Sequence, residues 1–306
     1  MNQLIFTQVL TLFILMGVGL AARRLGQFTP EVSRGMSAFL MNFCMPMMVL
    51  SSFLRPFNMG MLATAGRMLG YALAIHLLLV MLAWIIFRKA PAAKRPGLQF
   101  ITVFSNSGFM GLPLLAMLFP IGGVFFGAVY SIAFTVFMFT AGVAFFSPGN
   151  SRPSPRQLFL NPVILSTLAG IACFLASVKL PTPIMNTLGI IGGMTSPLSM
   201  LIIGAMLGDM KLRDILGSPV EYLLCAVRLL VAPLLTLLLC RMLHVDPVLE
   251  KILVILQALP AATIVAAFAE KYGSDRAFVS RCTFLSTLLS ILTIPLVVKI
   301  LERFGG

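Results

Sequence analysis

The chain has 306 residues, 59% hydrophobic and 10% charged, with a formal net charge of +13. A water-soluble domain carries about 25% charged residues, so this composition excludes a soluble globular protein. The basic residues stand singly or in pairs between apolar runs and never form a tract or an aromatic-interleaved patch, which excludes a nucleic-acid binder despite the charge.

Charge and Pro/Gly clusters divide the chain into ten apolar spans, near 3–22, 35–54, 63–87, 97–119, 122–146, 160–178, 184–207, 217–240, 248–270 and 277–300. Each is about long enough to cross a hydrocarbon core of roughly 30 Å, which predicts an all-α polytopic membrane protein. In the first span, no Lys or Arg precedes Leu4–Leu20 while Arg23 and Arg24 follow it, the pattern of a reversed anchor and not of a cleaved signal peptide. Span 2 holds Asn42 and Pro46, and span 3 holds His76. Span 4 gathers Ser105, Asn106, Ser107, Gly108, Gly111 and Pro113 within an otherwise apolar run. Pro113 has no N–H to donate and crowds the carbonyl four residues back, and the glycines weaken the helix around it. A broken helix is therefore expected here.

After span 5 comes the polar, proline-rich stretch Ser147 to Gln157, with residues 151–159 read as a linker between residues 1–150 and 160–306. In the second half, span 7 holds Ser196, Pro197 and Ser199, span 8 Arg228, and span 9 the interruption Gln257, Pro260, Thr263. Five spans on each side of the linker give the halves opposite orientations. Pro46 answers Pro197, His76 answers Arg228 and Pro113 answers Pro260 at similar but unequal offsets, the expected mark of two inverted five-helix repeats.

Most of the 22 Lys and Arg fall in alternate loops, among them Arg23, Arg24, Arg88, Lys89, Lys94, Arg95, Arg152, Lys211 and Lys271. The positive-inside rule makes that face cytoplasmic and puts both termini on the non-cytoplasmic side of a cell inner (plasma) membrane. The five cysteines, Cys44, Cys173, Cys225, Cys240 and Cys282, lack CxxC spacing and read as small buried hydrophobes, so neither a metal nor a cofactor is expected.

Backbone freed at bilayer depth is tolerated where it faces protein or a watery cavity, and transporters aim such helix ends at substrate. All nine carboxylates fall in loops or near helix ends, which argues against a cation as substrate. His76 and Arg228 are the ionisable groups at depth. Arg228 has two readings: a charge that draws an anion, or a structural group satisfied by carbonyls or snorkelling to the cytoplasmic surface. His76 likewise reads as a satisfied buried imidazole or as a proton-coupling group. Asn42, Ser196 and Ser199 either donate to an anion or hold helices together.

The stretches GVGLAARRLGQFTPEVSRGMSAFLMNFCMPMMVLSS, SNSGFMGLPLL and LPAATIVAAFAEKYGSD resemble the auxin efflux carrier family and its bacterial carboxylate-permease members. Plant PIN-type relatives have a large cytosolic loop where only Ser147 to Gln157 stands, so the chain is similar to the compact bacterial branch. The resemblance implies ten helices in inverted repeats, with helices 4 and 9 broken and crossing at Pro113 and Pro260. It implies a scaffold of helices 1, 2, 6 and 7, a mobile set of 3–5 and 8–10 moving in elevator fashion, and a homodimer through the scaffold. The Asn of the NxGF motif falls on Asn106, the first choice for contact with a small organic anion such as malonate, malate or an auxin-like acid. Where the family has a proline pair in helix 9, Pro260 is followed here by Ala261.

No GxSG, HExxH or buried acid pair is present, and the histidines are His76 and His244 alone, so an enzyme is not expected. A passive anion channel and a non-transport membrane protein are the competing classes, and saturable flux with counterflow separates a carrier from either.

Overall fold

The computed structural model describes residues 2–147, 160–208 and 218–304. Most of the Ser147–Gln157 linker lies outside the described residues, as does the stretch with Asp209, Lys211, Arg213 and Asp214.

The chain is all-helical. In order, the helices are α1 (Asn2–Arg24), α2 (Pro30–Phe53), α3 (Met59–Phe87), α4 (Arg95–Val103), α5 (Ser107–Leu118), α6 (Gly123–Phe146), α7 (Pro162–Leu175), α8 (Thr182–Gly208), α9 (Pro219–Met242), α10 (Pro247–Ala258), α11 (Val265–Lys271) and α12 (Arg276–Phe304). Among the described residues, α2, α3, α6, α8, α9 and α12 are long and apolar enough to cross a membrane. The expected spans 4 and 9 are each two shorter helices, α4 with α5 and α10 with α11.

Helix starts follow a cap-then-proline pattern. Thr29, Asn161 and Asp246 stand before Pro30, Pro162 and Pro247, and their side-chain oxygens accept from Val32, Val163 and Val248 N–H at 3.3, 2.9 and 2.9 Å. Proline at the first position has no N–H to leave unsatisfied, and the cap oxygen satisfies one of those that remain. Gly26 ends α1 with φ of 76°, a left-handed conformation that glycine adopts without a Cβ penalty.

Three interior prolines are absorbed in a different way. Pro46, Pro113 and Pro233 each follow a widened, π-helical turn, over Leu40–Cys44, Ser107–Gly111 and Val227–Val231. A proline ring clashes with the carbonyl four residues back and offers no N–H to it, and an extra residue in the turn relieves both. Span 2 is thus one helix with a wide turn at Asn42.

The chain divides into two compact units. One comprises Met1–Met68, Gly108–Ile132 and Arg156–Met210, the other Leu69–Ser107, Ala133–Pro155 and Lys211–Gly306. In the first, α1 lies along the later part of α8 with glycine at the contacts. A Cβ on Gly19 would strike the Leu201 backbone, and one on Gly204 the Met16 backbone. The later part of α2 packs against α7 and α8, where a Cβ on Gly192 would come within 2.9 Å of Met48 Cα, and one on Gly170 within 2.7 Å of the Phe53 ring. Apolar side chains gain nothing from association in lipid, so close backbone approach through small residues supplies the attraction.

The second unit packs α4 against α6, α9, α11 and α12. Phe100 stands 4.5 Å from Phe104 and 4.9 Å from Phe268, ring centre to ring centre, and Gly142 leaves room for the Phe100 and Phe104 rings. Every buried Arg, Glu and His among the described residues belongs to this unit.

Candidate functional site

Between α4 and α5, and between α10 and α11, the chain runs extended, and within the second unit these two stretches pair. Asn106 N–H donates to Pro260 O at 2.8 Å and Ala262 N–H to Phe104 O at 3.0 Å, an antiparallel bridge centred on Ser105 and Ala261. Each stretch thereby satisfies backbone groups that its own helix has released, which is what irregular backbone away from water requires. Ala261 N–H is satisfied by Ser286 Oγ of α12 at 3.1 Å.

Pro260 sits in the pair with its carbonyl bonded to Asn106, whereas Pro113 lies in the first regular turn of α5, beyond the wide turn Ser107–Gly111. The strand-like geometry needs an extended residue with a free acceptor, which Pro260 supplies. Pro113 is interior to α5, where the wide turn Ser107–Gly111 accommodates its missing N–H.

Side chains divide sharply at the bridge. Ser105 is fully buried and Asn106 is 4% exposed, yet Ser105 Oγ and Asn106 Nδ2 have no hydrogen-bond partner among the described residues. An unsatisfied buried polar group costs about 1–3 kcal/mol, and Thr195 Oγ1, Ser218 Oγ and Thr293 Oγ1 are in the same condition. Ser107, 3% exposed, donates its N–H back to Ser105 O at 2.8 Å and opens α5. Thr263 is half-buried just before α11.

Arg228 sits in the wide turn of α9 and is fully buried. Its Nε donates to Leu259 O at 3.2 Å, Nη1 to Thr102 O at 2.9 Å and Val103 O at 3.4 Å, and Nη2 to Gln257 Oε1 at 2.7 Å and to Gln257 O. All five guanidinium N–H groups are thus engaged, and every backbone acceptor belongs to the C-terminal end of α4 or of α10 or directly follows it. Of the two sequence readings, satisfaction by a carbonyl array is what the guanidinium displays. Gln257, expected to face substrate, turns its Oε1 to Arg228.

His76 of α3 is fully buried, with Nδ1 2.7 Å from Ala72 O and its ring 5.4 Å from Phe137 and 6.3 Å from Phe104. The remaining sequence candidates belong to the first unit. Asn42 is exposed in the wide turn of α2, Ser199 is buried and donates to Ser196 O at 3.0 Å, and Ser196 is half-buried. Among the described residues no group of three or more His, Cys, Asp or Glu is arranged to hold a metal. The cysteines are free thiols, Cys44, Cys225, Cys240 and Cys282 being buried.

Sequence reasoning missed the acceptors Thr102, Val103 and Leu259, which act through backbone carbonyls and so carry no residue signature. Ser286 was legible in principle, since Ser286 and Ser290 stand one turn apart in an apolar helix and both are buried.

The family described as membrane transport protein matches residues 4–154 and 150–298. The chain is 27% identical over 296 residues to an "Uncharacterized transporter" of Methanothermobacter thermautotrophicus, covering 94% of this chain and 95% of that protein. It is 26% identical over 220 residues to a "Putative malonate transporter" of Rhizobium meliloti, covering 69% of this chain and 68% of the relative. An "Uncharacterized transporter" of Methanocaldococcus jannaschii is 22% identical over 214 residues, covering 68% and 69%.

Proposed function

The chain belongs to the membrane transport protein family, that of the auxin efflux carriers, and from that premise we propose that it is a secondary transporter of a small organic anion, with a carboxylate such as malonate or malate as substrate. In this reading ten helices form two inverted repeats in the inner membrane, both termini on the non-cytoplasmic side, and transport proceeds by alternating access of the elevator type. The hydrogen bonds exchanged between Phe104–Asn106 and Pro260–Ala262 join the interrupted stretch of one half to that of the other, which supports a crossing of two broken helices. The name of the Rhizobium relative supports a dicarboxylate.

The observation that carries the reading is the pair of unsatisfied buried groups on the crossing, Asn106 Nδ2 and Ser105 Oγ. A carboxylate is rich in acceptors and has no donor, so it complements an amide N–H and a hydroxyl that lack acceptors. Asn106 touches substrate in this mechanism, Ser105 and Ser107 assist, and Arg228 acts through the helix ends it holds.

Uptake of labelled malonate and malate into proteoliposomes tests this. Saturable uptake with counterflow, lowered in Asn106→Ala at equal folded incorporation, is expected. Flux that does not saturate would make the protein a channel, and absence of flux for any small carboxylate would remove the substrate class.

A further inference from the structure

The chain between α3 and α4 stands apart in its charge. Arg88, Lys89, Lys94 and Arg95 fall within eight residues, and no Asp or Glu stands anywhere between Glu31 and Asp209. Other acids at this end of the second unit are already engaged. Glu270 pairs with Arg276 at 3.0 Å, Glu221 pairs with Arg281 at 3.3 Å, and Asp275 Oδ1 accepts from Phe278 N–H at 2.9 Å. Among the described residues no carboxylate pairs with Arg88, Lys89, Lys94 or Arg95.

These four cations are gathered by the fold. Arg95 Nη1 donates to Arg88 O at 3.2 Å, which holds the start of α4 beside the end of α3. Lys94 Nζ lies 5.0 Å from the centre of the Phe278 ring, and Ser274 Oγ donates to Ala93 O at 3.0 Å, so the turn before α12 backs the loop. Next to the charges, α3 carries an exposed apolar row of Leu73, Leu77, Met81, Trp84 and Ile85 along one helix face, while Ile75, Leu79 and Ala83 on the opposite face are buried. Arg88 continues the exposed face by one more turn. Its guanidinium lies over the Trp84 indole, 5.7 Å from the ring centre.

We propose that this end of the second unit binds an anionic phospholipid, with its phosphate among Arg88, Lys89, Lys94 and Arg95 and an acyl chain along the exposed row of α3. A zwitterionic lipid brings a cation of its own to this place and an anionic one does not, so unpaired basic side chains select the second by charge. Trp84, 56% exposed, has the amphipathic ring that suits the boundary between headgroup and hydrocarbon, and it stands where the apolar row meets the charges. The proposal uses neither the substrate nor the crossing, and it goes beyond the carboxylate reading without resting on it.

Trp84 is the only tryptophan in the chain, so the tryptophan fluorescence of the intact protein reports from this site. The purified protein is reconstituted in phosphatidylcholine vesicles that carry, at equal mole fraction, phosphatidylglycerol or phosphatidylcholine with brominated acyl chains, which quench an indole on contact. Wild type is expected to show phosphatidylglycerol enriched over phosphatidylcholine at Trp84 by about five-fold or more, the effect of one or more basic residues near a membrane surface. The double variant Lys89→Gln/Arg95→Gln brings that ratio close to one. Lys299→Gln, exposed near the other end of α12, leaves it unchanged. Inorganic phosphate lowers the ratio no more than sodium chloride of equal ionic strength does. Equal quenching by the two lipids in wild type overturns the proposal, as does an equal fall in Lys299→Gln, which would make the preference one of net charge. Displacement by inorganic phosphate beyond that by chloride would make this a site for free phosphate and overturn the lipid as its occupant. If the double variant does not fold, the wild-type ratio and the phosphate arm decide by themselves. Loss of carboxylate uptake would change none of these readings, so the two proposals fail separately.

Discussion

The two units solve the problem of helix association in lipid by opposite means. The first brings backbones together through Gly19, Gly170, Gly192 and Gly204, with no buried Arg, Glu or His among its described residues. The second spends buried polar groups instead: Arg228 on two helix ends, Glu221 and Glu250 in ion pairs, and His76 in an aromatic surround. A polar crossing generates groups in want of a partner, and here it leaves Ser105 Oγ and Asn106 Nδ2 over. The first unit too keeps one such group, Thr195 Oγ1, buried without a hydrogen-bond partner among the described residues.

Substitutions can break that contrast from either side. The largest effect is expected for Arg228→Met, which keeps apolar bulk but orphans the helix-end carbonyls. A buried acceptor left without its donor costs about 1–3 kcal/mol, and several are orphaned at once, which is read as a lowered thermal midpoint. Next comes Asn106→Ala, which should leave the midpoint nearly unchanged, since Nδ2 has no partner to lose, while lowering carboxylate uptake about 10- to 100-fold by removing one hydrogen bond to a charged group. A drop in stability without loss of uptake would return Asn106 to a structural role.

Gly204→Val tests the first unit. The added side chain meets the Met16 backbone, which cannot turn aside as a flexible side chain can, and overpacking of this kind costs about 1–3 kcal/mol. Chemical denaturation of the purified variant checks it. Glu221→Gln should be mildest, about 1 kcal/mol, because Arg281 is partly exposed and water can replace the lost charge. Unfolding in high salt should narrow the difference from wild type for Glu221→Gln, and leave that for Gly204→Val unchanged.

Much of this was legible along the chain. The apolar spans agree with the helices to within a few residues, because hydrocarbon thickness sets a length that hydropathy records directly. The break in span 4 was legible from Asn106, Gly108, Gly111 and Pro113, and that in span 9 from Pro260, since loss of helix propensity is local. The fate of Pro46 was not. A proline can break, kink or widen a helix, and in α2 the choice fell on a wide turn at Leu40–Cys44.

The sequence by itself determined that this chain is helical, lives in a membrane, lacks acids at depth and interrupts two of its spans with polar and proline residues. Those properties follow from side-chain transfer energies and local backbone preference, which act residue by residue. Only the tertiary structure decided that Arg228 is bound to carbonyls of both helix ends and that Asn106 retains an unsatisfied amide at the crossing. Carbonyls are the same in every residue. Which of them converge on one guanidinium, and which donors are left without an acceptor, is a property of chain segments far apart in sequence brought to one place.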